Sequence, residues 1–391
     1  MIYNKRTVLT TVLLGLVLVF CNSFSATAEQ PARRPLKILF ALGCFPLLPE
    51  TFIVNQLTGM IDRGHKIAIC SSHPGQKKIH PDVLKYKLLD RTYYGTIPSD
   101  IATYDIILCQ FGPLGKKWLK IKKELGLKAK IVTCFRGYDI TKEVKEKGRH
   151  VYDSLFKEGD LFLPVCDYFK DIMIDLGCDA KKIIVHHSAI DINRFSFRSN
   201  KKGEGLSIVS VNRLVPKKGT SYAISAVCRL IKKYPHIRYS VMGDGHLKQR
   251  LNAAINKGRA QRNVKLLGWG THDDVAKLLT KADIFVLPSV TANDGNEEGI
   301  PNALKEAMAV GIPVVSTYHA GISELVDNGK TGFLVECADS KELARKIEYL
   351  IEHPEERLKM GVLARERIEQ EYDTEKLNDR LVSLLYALLD K

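Results

Sequence analysis

The sequence predicts an α/β protein with two doubly wound domains that face each other across a cleft, followed by a helical tail. Short apolar runs alternate with amphipathic stretches along most of the 391 residues, a pattern typical of parallel sheets covered by helices. This length allows two domains with separate cores. A composition of 45% hydrophobic and 26% charged residues excludes a disordered chain and a polytopic membrane protein.

The first alternating series predicts a domain at 29–200. The segment "PLKILFALG" has the composition of a buried strand, and "TFIVNQLTGMIDRG" has helical spacing and ends at a glycine. Five further segments are predicted to be strands: "HKIAICSS", "YDIILCQF", "AKIVTCF", "DLFLPV" and "KKIIVHHS". The polar, glycine-containing segment 196–205 is predicted to be the linker.

The second series predicts a domain at 201–370. Its strands are expected at "LSIVSVN", "IRYSVMG", "VKLLG", "ADIFVLPS", "IPVVST" and "TGFLV". Residues 371–391 have helical periodicity, and we expect this helix to pack back towards the N-terminal domain. Ligands of doubly wound sheets bind at the carboxyl ends of the strands, so functional residues are expected in the loops that follow them.

Residues 1–28 differ from the rest of the chain. A short basic start, an apolar run from Val8 to Phe20 and the small-residue pattern "SATA" predict a signal peptide, and an uncleaved anchor is the alternative. The eight cysteines after Cys21 contain no CxxC pair, which favours buried thiols in a reducing compartment, such as a cytoplasmic face. The sequence therefore predicts a membrane-associated protein and leaves the choice between export and anchoring open.

The charge of the chain favours an anionic partner. Lysine and arginine number 59 against 44 acidic residues, as expected for a protein that binds nucleic acid, a phosphorylated small molecule or an acidic membrane surface. Nucleic acid is not expected, because no recognised module or aromatic platform accompanies the charge.

Two cations follow the first strand of the second domain. In "SIVSVNRLVPKKG", Arg213 lies at the end of the strand and Lys218 comes just before Gly219 and a helix. Such a pair beside a helix N-terminus forms a site for a diphosphate, although a basic turn in water explains the pattern equally well. In "YSVMGDGHLKQRL", Gly243 ends the next strand, and a glycine there lets a ligand approach the backbone.

Two carboxylates lie eight positions apart in "EEGIPNALKEAMAVGIPVV". Glu298 is expected in the loop after a strand, and Glu306 about 7.5 Å along the following helix. A carboxylate only accepts hydrogen bonds, which suits it to paired sugar hydroxyls. The alternative is that Glu298 complements the helix dipole and Glu306 is solvated.

In this order, "RLVPKKG", "MGDG", "EGIPNALKEAMA" and "HAGISELVDNGKTGFLV" resemble the retaining GT-B glycosyltransferases of the GT4 family, whose signature is E-x7-E. The resemblance covers residues 36–375. The segments "CFPLLPETFIVNQL", "CQFGPLG" and "FRGYDIT" are similar to its exopolysaccharide branch, the colanic acid and amylovoran-type transferases. It implies transfer of a hexose from a nucleoside diphosphate sugar to a saccharide hydroxyl in exopolysaccharide or other surface glycan synthesis.

The resemblance also implies roles for individual residues. Arg213 and Lys218 would hold the donor diphosphate, Glu298 would contact the transferred sugar, and Glu306 would bind the ribose. The backbone near the sugar and the phosphates would be that of Gly299, Ile300, Pro301 and Asn302. No metal or other cofactor is expected, because the two cations and the helix terminus would take the place of a divalent ion.

The N-terminal domain departs from the family at one position. The family often has His-Gly-x-Asp after a strand, whereas "CFRGYDIT" carries Arg136 in place of the histidine and retains Asp139. Arginine cannot act as a base near neutral pH, so Arg136 is expected to orient the sugar or stabilise phosphate charge. Asp139 and the Glu50 and Thr51 of "PETF" are expected on the acceptor side of the cleft.

The segment 115–125, "GKKWLKIKKEL", places Trp118, Ile121 and Leu125 at helical spacing among lysines. Such a helix is expected to contact an anionic membrane peripherally, which fits a lipid-linked saccharide acceptor. A core-facing stripe with a solvated lysine face is the alternative.

Two other functions fit parts of the pattern. A GT-B epimerase or phosphorylase would share the fold and the phosphate site. A periplasmic solute-binding protein without catalysis would share the leader and the two lobes, but it has no reason to couple Arg213 and Lys218 with Glu298 and Glu306.

Overall fold

The computed structural model of the protein describes residues 33–76, 78–197 and 206–391. The predicted leader at 1–28 and residues 198–205 of the predicted linker lie outside these ranges. From Leu36 onwards the described chain forms two parallel sheets of six strands each, with helices on their faces, as the sequence predicts.

The N-terminal sheet has the strand order β3-β2-β1-β4-β5-β6. Its strands are β1 Lys37–Phe45, β2 Lys66–Pro74, β3 Thr92–Tyr94, β4 Ile106–Cys109, β5 Lys130–Phe135 and β6 Leu161–Pro164. The central strand β1 pairs with β2 on one side and β4 on the other, so that Ile38 lies opposite both Ile67 and Ile106. These aliphatic side chains are buried on both faces of the sheet, which is why the strands are nearly continuous apolar runs.

One predicted strand of this sheet was wrong, and one observed strand was not predicted. The segment "KKIIVHHS" is not a strand of the sheet: Ile184 donates a hydrogen bond to Phe162, but the ladder is limited to one isolated bridge at Ile183. The short edge strand β3 was missed, because its Tyr93 and Tyr94 are largely exposed and lack the apolar run of a buried strand.

The C-terminal sheet has the order β12-β11-β10-β7-β8-β9, and its six predicted strands are confirmed. They are β7 Ser207–Val211, β8 Arg238–Met242, β9 Val264–Gly268, β10 Ile284–Leu287, β11 Val314–Thr317 and β12 Gly332–Val335. The order reverses between β7 and β10, which are hydrogen-bonded neighbours. The loops after these two strands therefore meet at a switch point of the sheet, where doubly wound folds bind their ligands.

Helices cover both sheets. They are α1 Thr51–Asp62, α2 Pro81–Lys85, α3 Gly112–Glu124, α4 Lys142–Lys147, α5 Asp153–Glu158, α6 Asp167–Asp175, α7 Thr220–Leu230, α8 Lys248–Lys257, α9 His272–Leu279, α10 Asn302–Val310, α11 Ile322–Leu325, α12 Ser340–Glu352, α13 Pro354–Glu371 and α14 Thr374–Leu389.

The last helix, α14, lies on α1 of the N-terminal domain. Leu381 and Leu385 are fully buried in the core cluster that also contains β1 and α1 side chains. Arg63 at the end of α1 forms an ion pair of 2.7 Å with Asp379. A Cβ at Gly59 would lie 1.9 Å from the side-chain amide nitrogen of Asn378, so glycine allows the two helices to approach closely.

This packing predicts the effect of a cavity at the tail. Leu381→Ala should lower the free energy of unfolding by about 2–5 kcal/mol, because it removes buried side-chain volume that the surrounding helices cannot refill. Chemical denaturation followed by circular dichroism measures this change. Leu358→Ala, at a position that is 55% exposed, is the control and should change it by less than about 0.5 kcal/mol. Equal effects of both substitutions would contradict the described packing of α14.

Candidate active site

The loop after β7 carries the predicted cations on one tight turn. Lys217 and Lys218 end a short 3-10 turn that begins at Pro216, and Gly219 follows with φ of 63°. A Cβ at Gly219 would lie 1.7 Å from the carbonyl oxygen of Pro288, so only glycine lets this turn lie against the end of β10. The turn thereby brings the lysines to the loop that carries Glu298.

Glu298 lies between the two lysines. Its carboxylate oxygens are 2.9 Å from the Lys217 ammonium and 2.8 Å from that of Lys218, and all three side chains are about nine-tenths buried. Burial raises the pKa of Glu298, but Lys218 and Lys217 overcome this effect and hold the pKa at about 2. Burial also lowers the pKa of Lys218. The three groups together carry one net positive charge.

Lys217 is the functional residue that sequence reasoning missed. Besides Glu298, its ammonium donates hydrogen bonds to the Asn296 side-chain oxygen at 3.0 Å and the Glu297 carbonyl at 3.1 Å. The doublet of lysines in "PKKG" is the sequence signal for Lys217, but the prediction named only the second lysine, Lys218. The geometry shows that the two side chains reach the same carboxylate from both sides.

The loop with Glu298 also lies against the N-terminal domain. A Cβ at Gly137 would be 3.1 Å from the Glu297 carbonyl oxygen, and one at Gly299 would be 2.8 Å from a Val165 methyl group. The backbone amide of Glu297 donates a hydrogen bond to the Thr141 hydroxyl. The two domains are therefore in direct contact at this side of the site.

The residues whose backbone is predicted to lie near the sugar and the phosphates come directly after Glu298 in the chain. Gly299, Ile300 and Pro301 are buried, and half-buried Asn302 begins α10. Pro301 occupies the N-cap position of this helix, with a φ of −60° and no side-chain hydrogen bond to its amides. The N-terminus of α10 thus begins four residues after Glu298.

Glu306 is not part of the cluster around Lys218. It is buried on α10 and lines a separate pocket with Thr51, His80, Arg194 and His272. Burial raises the pKa of Glu306 to about 7, while the positive charges of Lys305 and Arg194 oppose the shift. The structure therefore places the two predicted carboxylates in two environments, one that lowers the pKa of Glu298 and one that raises the pKa of Glu306.

Two acceptor-side residues begin α1. Thr51 is buried and lines the pocket of Glu306. Glu50 is half-buried, and burial raises its pKa to about 7 against the opposing charges of Arg136 and Arg213. Arg136 and Arg213 belong to different domains, so the pKa of Glu50 depends on charges from both sides of the cleft. The side chain of Arg213 is exposed.

Arg136 is held by side chains of the N-terminal domain. Its guanidinium donates hydrogen bonds to the Ser188 hydroxyl at 2.8 Å and to the Gln110 side-chain oxygen at 2.6 Å, and it lies 4.2 Å above the ring of Phe52. These contacts fix its orientation. The catalytic role predicted for Arg136 is not tested by these contacts and stays a prediction.

The structure corrects the assignment of Asp139 to the acceptor side. Asp139 is fully buried, and its carboxylate accepts hydrogen bonds from the backbone amides of Gly112, Arg136 and Gly137. An acid with both oxygens used in this way stabilises the loop after β5 and has no surface for a ligand. Its effect on the site is to position Arg136.

Gly243 lies where two loops approach each other closely. Its φ is 139°, and a Cβ there would lie 1.8 Å from the carbonyl oxygen of Asn212. The close approach of the chains leaving β7 and β8 therefore requires a glycine. The predicted contact of Gly243 with the nucleotide sugar stays a prediction.

The helix α3 differs from the expected membrane contact. Trp118 and Leu119 are 3% and 5% exposed in the core of the N-terminal domain, and Ile121 packs against that core. The predicted aromatic anchor therefore faces inwards, and only Leu125 and the lysine face are exposed. Within the described ranges, no helix combines the length and the apolar character needed to cross a bilayer.

Among the described residues, no group of three or more His, Cys, Asp or Glu side chains is arranged to hold a metal ion. The eight described cysteines are free thiols.

Two facing doubly wound domains with a cation cluster at the switch point define a GT-B enzyme, and comparisons with known proteins agree. The family described as "Glycosyl transferases group 1" matches residues 191–367. WcaL of Salmonella typhimurium, assigned as a colanic acid biosynthesis glycosyltransferase, is 35% identical over 90% of this chain and 100% of its own length. AmsK of Erwinia amylovora, an amylovoran biosynthesis glycosyltransferase, is 32% identical over the same shares.

The chain belongs to the group 1 glycosyl transferase family, and it is a glycosyltransferase related to proteins of exopolysaccharide biosynthesis. Solved structures agree on the fold. Anabaena Alr3699/HepE in complex with UDP-glucose superposes with a TM-score of 0.75 at 20% identity, covering 90% of this chain and 100% of that one. Sucrose-phosphate synthase from Thermosynechococcus elongatus gives 0.74 at 15% identity, covering 90% and 99%.

The ion pairs of Glu298 predict a pH-dependent contribution to stability. Its folded pKa of about 2 is below the ordinary value of 4.5, so the contribution is complete above about pH 5 and is lost as the pH falls towards 2. Glu298→Gln should therefore lower the free energy of unfolding by about 3 kcal/mol at pH 7. The difference from wild type should shrink between about pH 5 and pH 2, measured by denaturation at each pH.

Glu366→Gln is the matched control, because Glu366 is exposed on α13. It should show no such pH-dependent difference. A Glu298→Gln difference that stays constant down to pH 2 would contradict the strongly ionised carboxylate.

Proposed function

We propose that the protein transfers a hexose, with retention of the anomeric configuration, from a nucleoside diphosphate sugar to a saccharide hydroxyl in exopolysaccharide or other surface glycan synthesis. The observation that carries this proposal is the buried cluster of Lys217, Lys218 and Glu298 at the switch point. With nearby Arg213 it has three positive charges and one negative charge. The net charge of +2 complements the two negative charges of a donor diphosphate.

The proposed reaction exchanges one bond at the anomeric carbon for another. The bond from that carbon to the diphosphate oxygen breaks while Arg213 and Lys218 compensate the charge that develops on the leaving group. The acceptor oxygen bonds to the same carbon and passes its proton to the leaving phosphate oxygen. This route needs no enzymic base, which fits the arginine at position 136.

Glu298 is proposed to contact the transferred sugar, and Glu306 to accept hydrogen bonds from the ribose. In support, Glu306, in the middle of α10, lines a pocket that also includes Thr51 from the N-terminal domain. The relatives of colanic acid and amylovoran biosynthesis support an exopolysaccharide product, and the Anabaena structure with UDP-glucose supports a nucleotide-sugar donor. No metal or other cofactor is proposed.

A donor panel tests the activity. Incubation with UDP-glucose, UDP-galactose, GDP-mannose and GDP-fucose should release nucleotide with one of them in the presence of a saccharide acceptor. NMR of the product should show a glycoside with the anomeric configuration of the donor. An epimerised donor or a free sugar phosphate would identify an epimerase or a phosphorylase instead, and an inverted glycoside would contradict retention.

Loss of Lys218 should impair this turnover strongly. Lys218→Met should lower kcat/KM by about 10²–10³-fold, because it removes a charge aimed at the leaving diphosphate, and should weaken UDP or GDP binding in calorimetry by at least tenfold. The control is Lys281→Met, at an exposed lysine of the same domain. Similar activity of the two variants would contradict the phosphate role of Lys218.

The acceptor is proposed to be lipid-linked, with peripheral membrane contact through the lysine face of α3. Because Trp118 is buried, this contact would be electrostatic, with about 1 kcal/mol per lysine near an anionic surface. Replacing Lys117, Lys120 and Lys123 by glutamine should reduce binding to vesicles containing 30% phosphatidylglycerol on the order of 100-fold in flotation assays.

Replacement of the exposed lysines 257, 265 and 281 by glutamine is the control for the same change in net charge, and it should leave vesicle binding nearly intact. Equal losses in both triple variants would indicate a non-specific charge effect and contradict membrane contact through the lysine face of α3.

We also propose that the protein is membrane-associated. Cell fractionation with N-terminal sequencing of the mature chain tests this location.

A further inference from the structure

The two lysines beside Glu298 are bound unequally. The ammonium of Lys217 lies within 3.1 Å of three acceptors, which are Glu298, the Asn296 side chain and the Glu297 carbonyl. Two of its three N–H donors are bound by Asn296 and Glu297, and its contact with Oε1 of Glu298 is an ion pair without hydrogen-bond geometry. The ammonium of Lys218 donates a hydrogen bond to Glu298 and belongs to the charge cluster that includes Arg213.

Donor binding would change the partners of Lys218. In the proposed function, on which this inference rests, Lys218 binds the diphosphate with the N–H donors that Glu298 does not use, so its charge is then divided between the two anions. Glu298 is only 8% exposed, and a buried carboxylate without a cation is strongly unfavourable. A second cation therefore has to stay with Glu298 throughout the reaction.

Besides Lys218, the charged or titratable groups next to Glu298 in the described part of the chain are Lys217, Glu297 and His319. The backbone amide of Glu298 donates a hydrogen bond to Nε2 of His319, which requires that nitrogen to be unprotonated, and burial lowers the pKa of His319. Lys217 is then the cation that remains.

We propose that Lys217 is a positioning residue for glycosyl transfer: it holds Glu298 and the loop 296–298 in place while Lys218 also binds the donor diphosphate. The loop is the part of the C-terminal domain that lies against Gly137, since the Glu297 carbonyl faces the Cα of that glycine. Lys217 binds this same carbonyl. It thereby supports the wall of the cleft as well as the carboxylate that contacts the sugar.

Lys217→Met tests the proposal by separating binding from turnover. We expect kcat to fall by about 100-fold, because a displaced Glu298 no longer contacts the sugar productively. The affinity for UDP and GDP, measured by calorimetry, should change by less than about threefold, because Lys218 and Arg213 remain. Lys218→Met should differ by a large loss of nucleotide affinity in addition to its loss of turnover.

The pH profile distinguishes this role from a loss of fold. Without Lys217, the acid limb of kcat should move up by about 1–2 pH units, because an opposite charge within about 4 Å has been removed from Glu298. The shift should be larger in kcat than in kcat/KM. The kcat profile reports the donor complex, in which the diphosphate shares the charge of Lys218, whereas kcat/KM reports the free enzyme.

Lys217→Arg is the conservative variant, because it retains the charge. Its kcat should be at least tenfold higher than that of Lys217→Met, and its acid limb should match that of the wild type. Lys232→Met, at an exposed lysine of the same domain, should match the wild type. If Lys217→Met lowers the thermal midpoint severely, the same measurements on Lys217→Gln and Lys217→Arg decide.

Two results would overturn the proposal: a loss of UDP and GDP affinity in Lys217→Met equal to that in Lys218→Met, or an unchanged kcat and acid limb. Wild-type protein that neither binds these nucleotides nor turns over a nucleotide sugar would instead overturn the proposed function itself. The two failures are therefore distinguishable.

Discussion

The Glu298 carboxylate between two buried ammonium groups is the interaction on which the rest of the site depends. Neither lysine could be nine-tenths buried without the acid, and the acid could not stay ionised there without the lysines. The cluster retains one net positive charge after this mutual compensation. An anionic ligand therefore meets a site that is already organised and already attractive to it.

The fold supplies the positions that make this cluster possible. The neighbours β7 and β10 place the lysine turn and the Glu298 loop at one edge of the C-terminal sheet, and Gly219 lets the turn lie against Pro288. Across the cleft, Gly137 and Gly299 allow the domains to touch without side chains between them. Removing a glycine at any of these three points would separate parts of the site that have to meet.

The sequence predicted the fold well, because buried parallel strands are apolar runs that can be recognised one at a time. It identified Lys218 and Glu298 through a resemblance whose motifs lie about 80 residues apart, and the structure brings the two side chains together. Helical spacing alone could not tell which way Trp118 faces, since a core stripe and a membrane stripe have the same period. The structure shows that it faces the core.

Other features depend on contacts that spacing does not encode. Asp139 occupies a motif position, yet backbone amides from two loops use its carboxylate. Gly243 is explained by a close approach to Asn212 from another strand. Lys217 is adjacent to a recognised residue, and only the three-dimensional arrangement of Asn296, Glu297 and Glu298 distinguishes the two lysines.

A crystal structure of the protein with bound UDP, or with GDP if that nucleotide binds, tests the central claim most directly. The account predicts a phosphate oxygen within about 2.7–3.2 Å of the Lys218 ammonium, with Lys217 still paired to Glu298 and Asn296. A nucleotide bound away from Arg213 and Lys218, or both lysines transferred to the phosphates with Glu298 left alone, would contradict it.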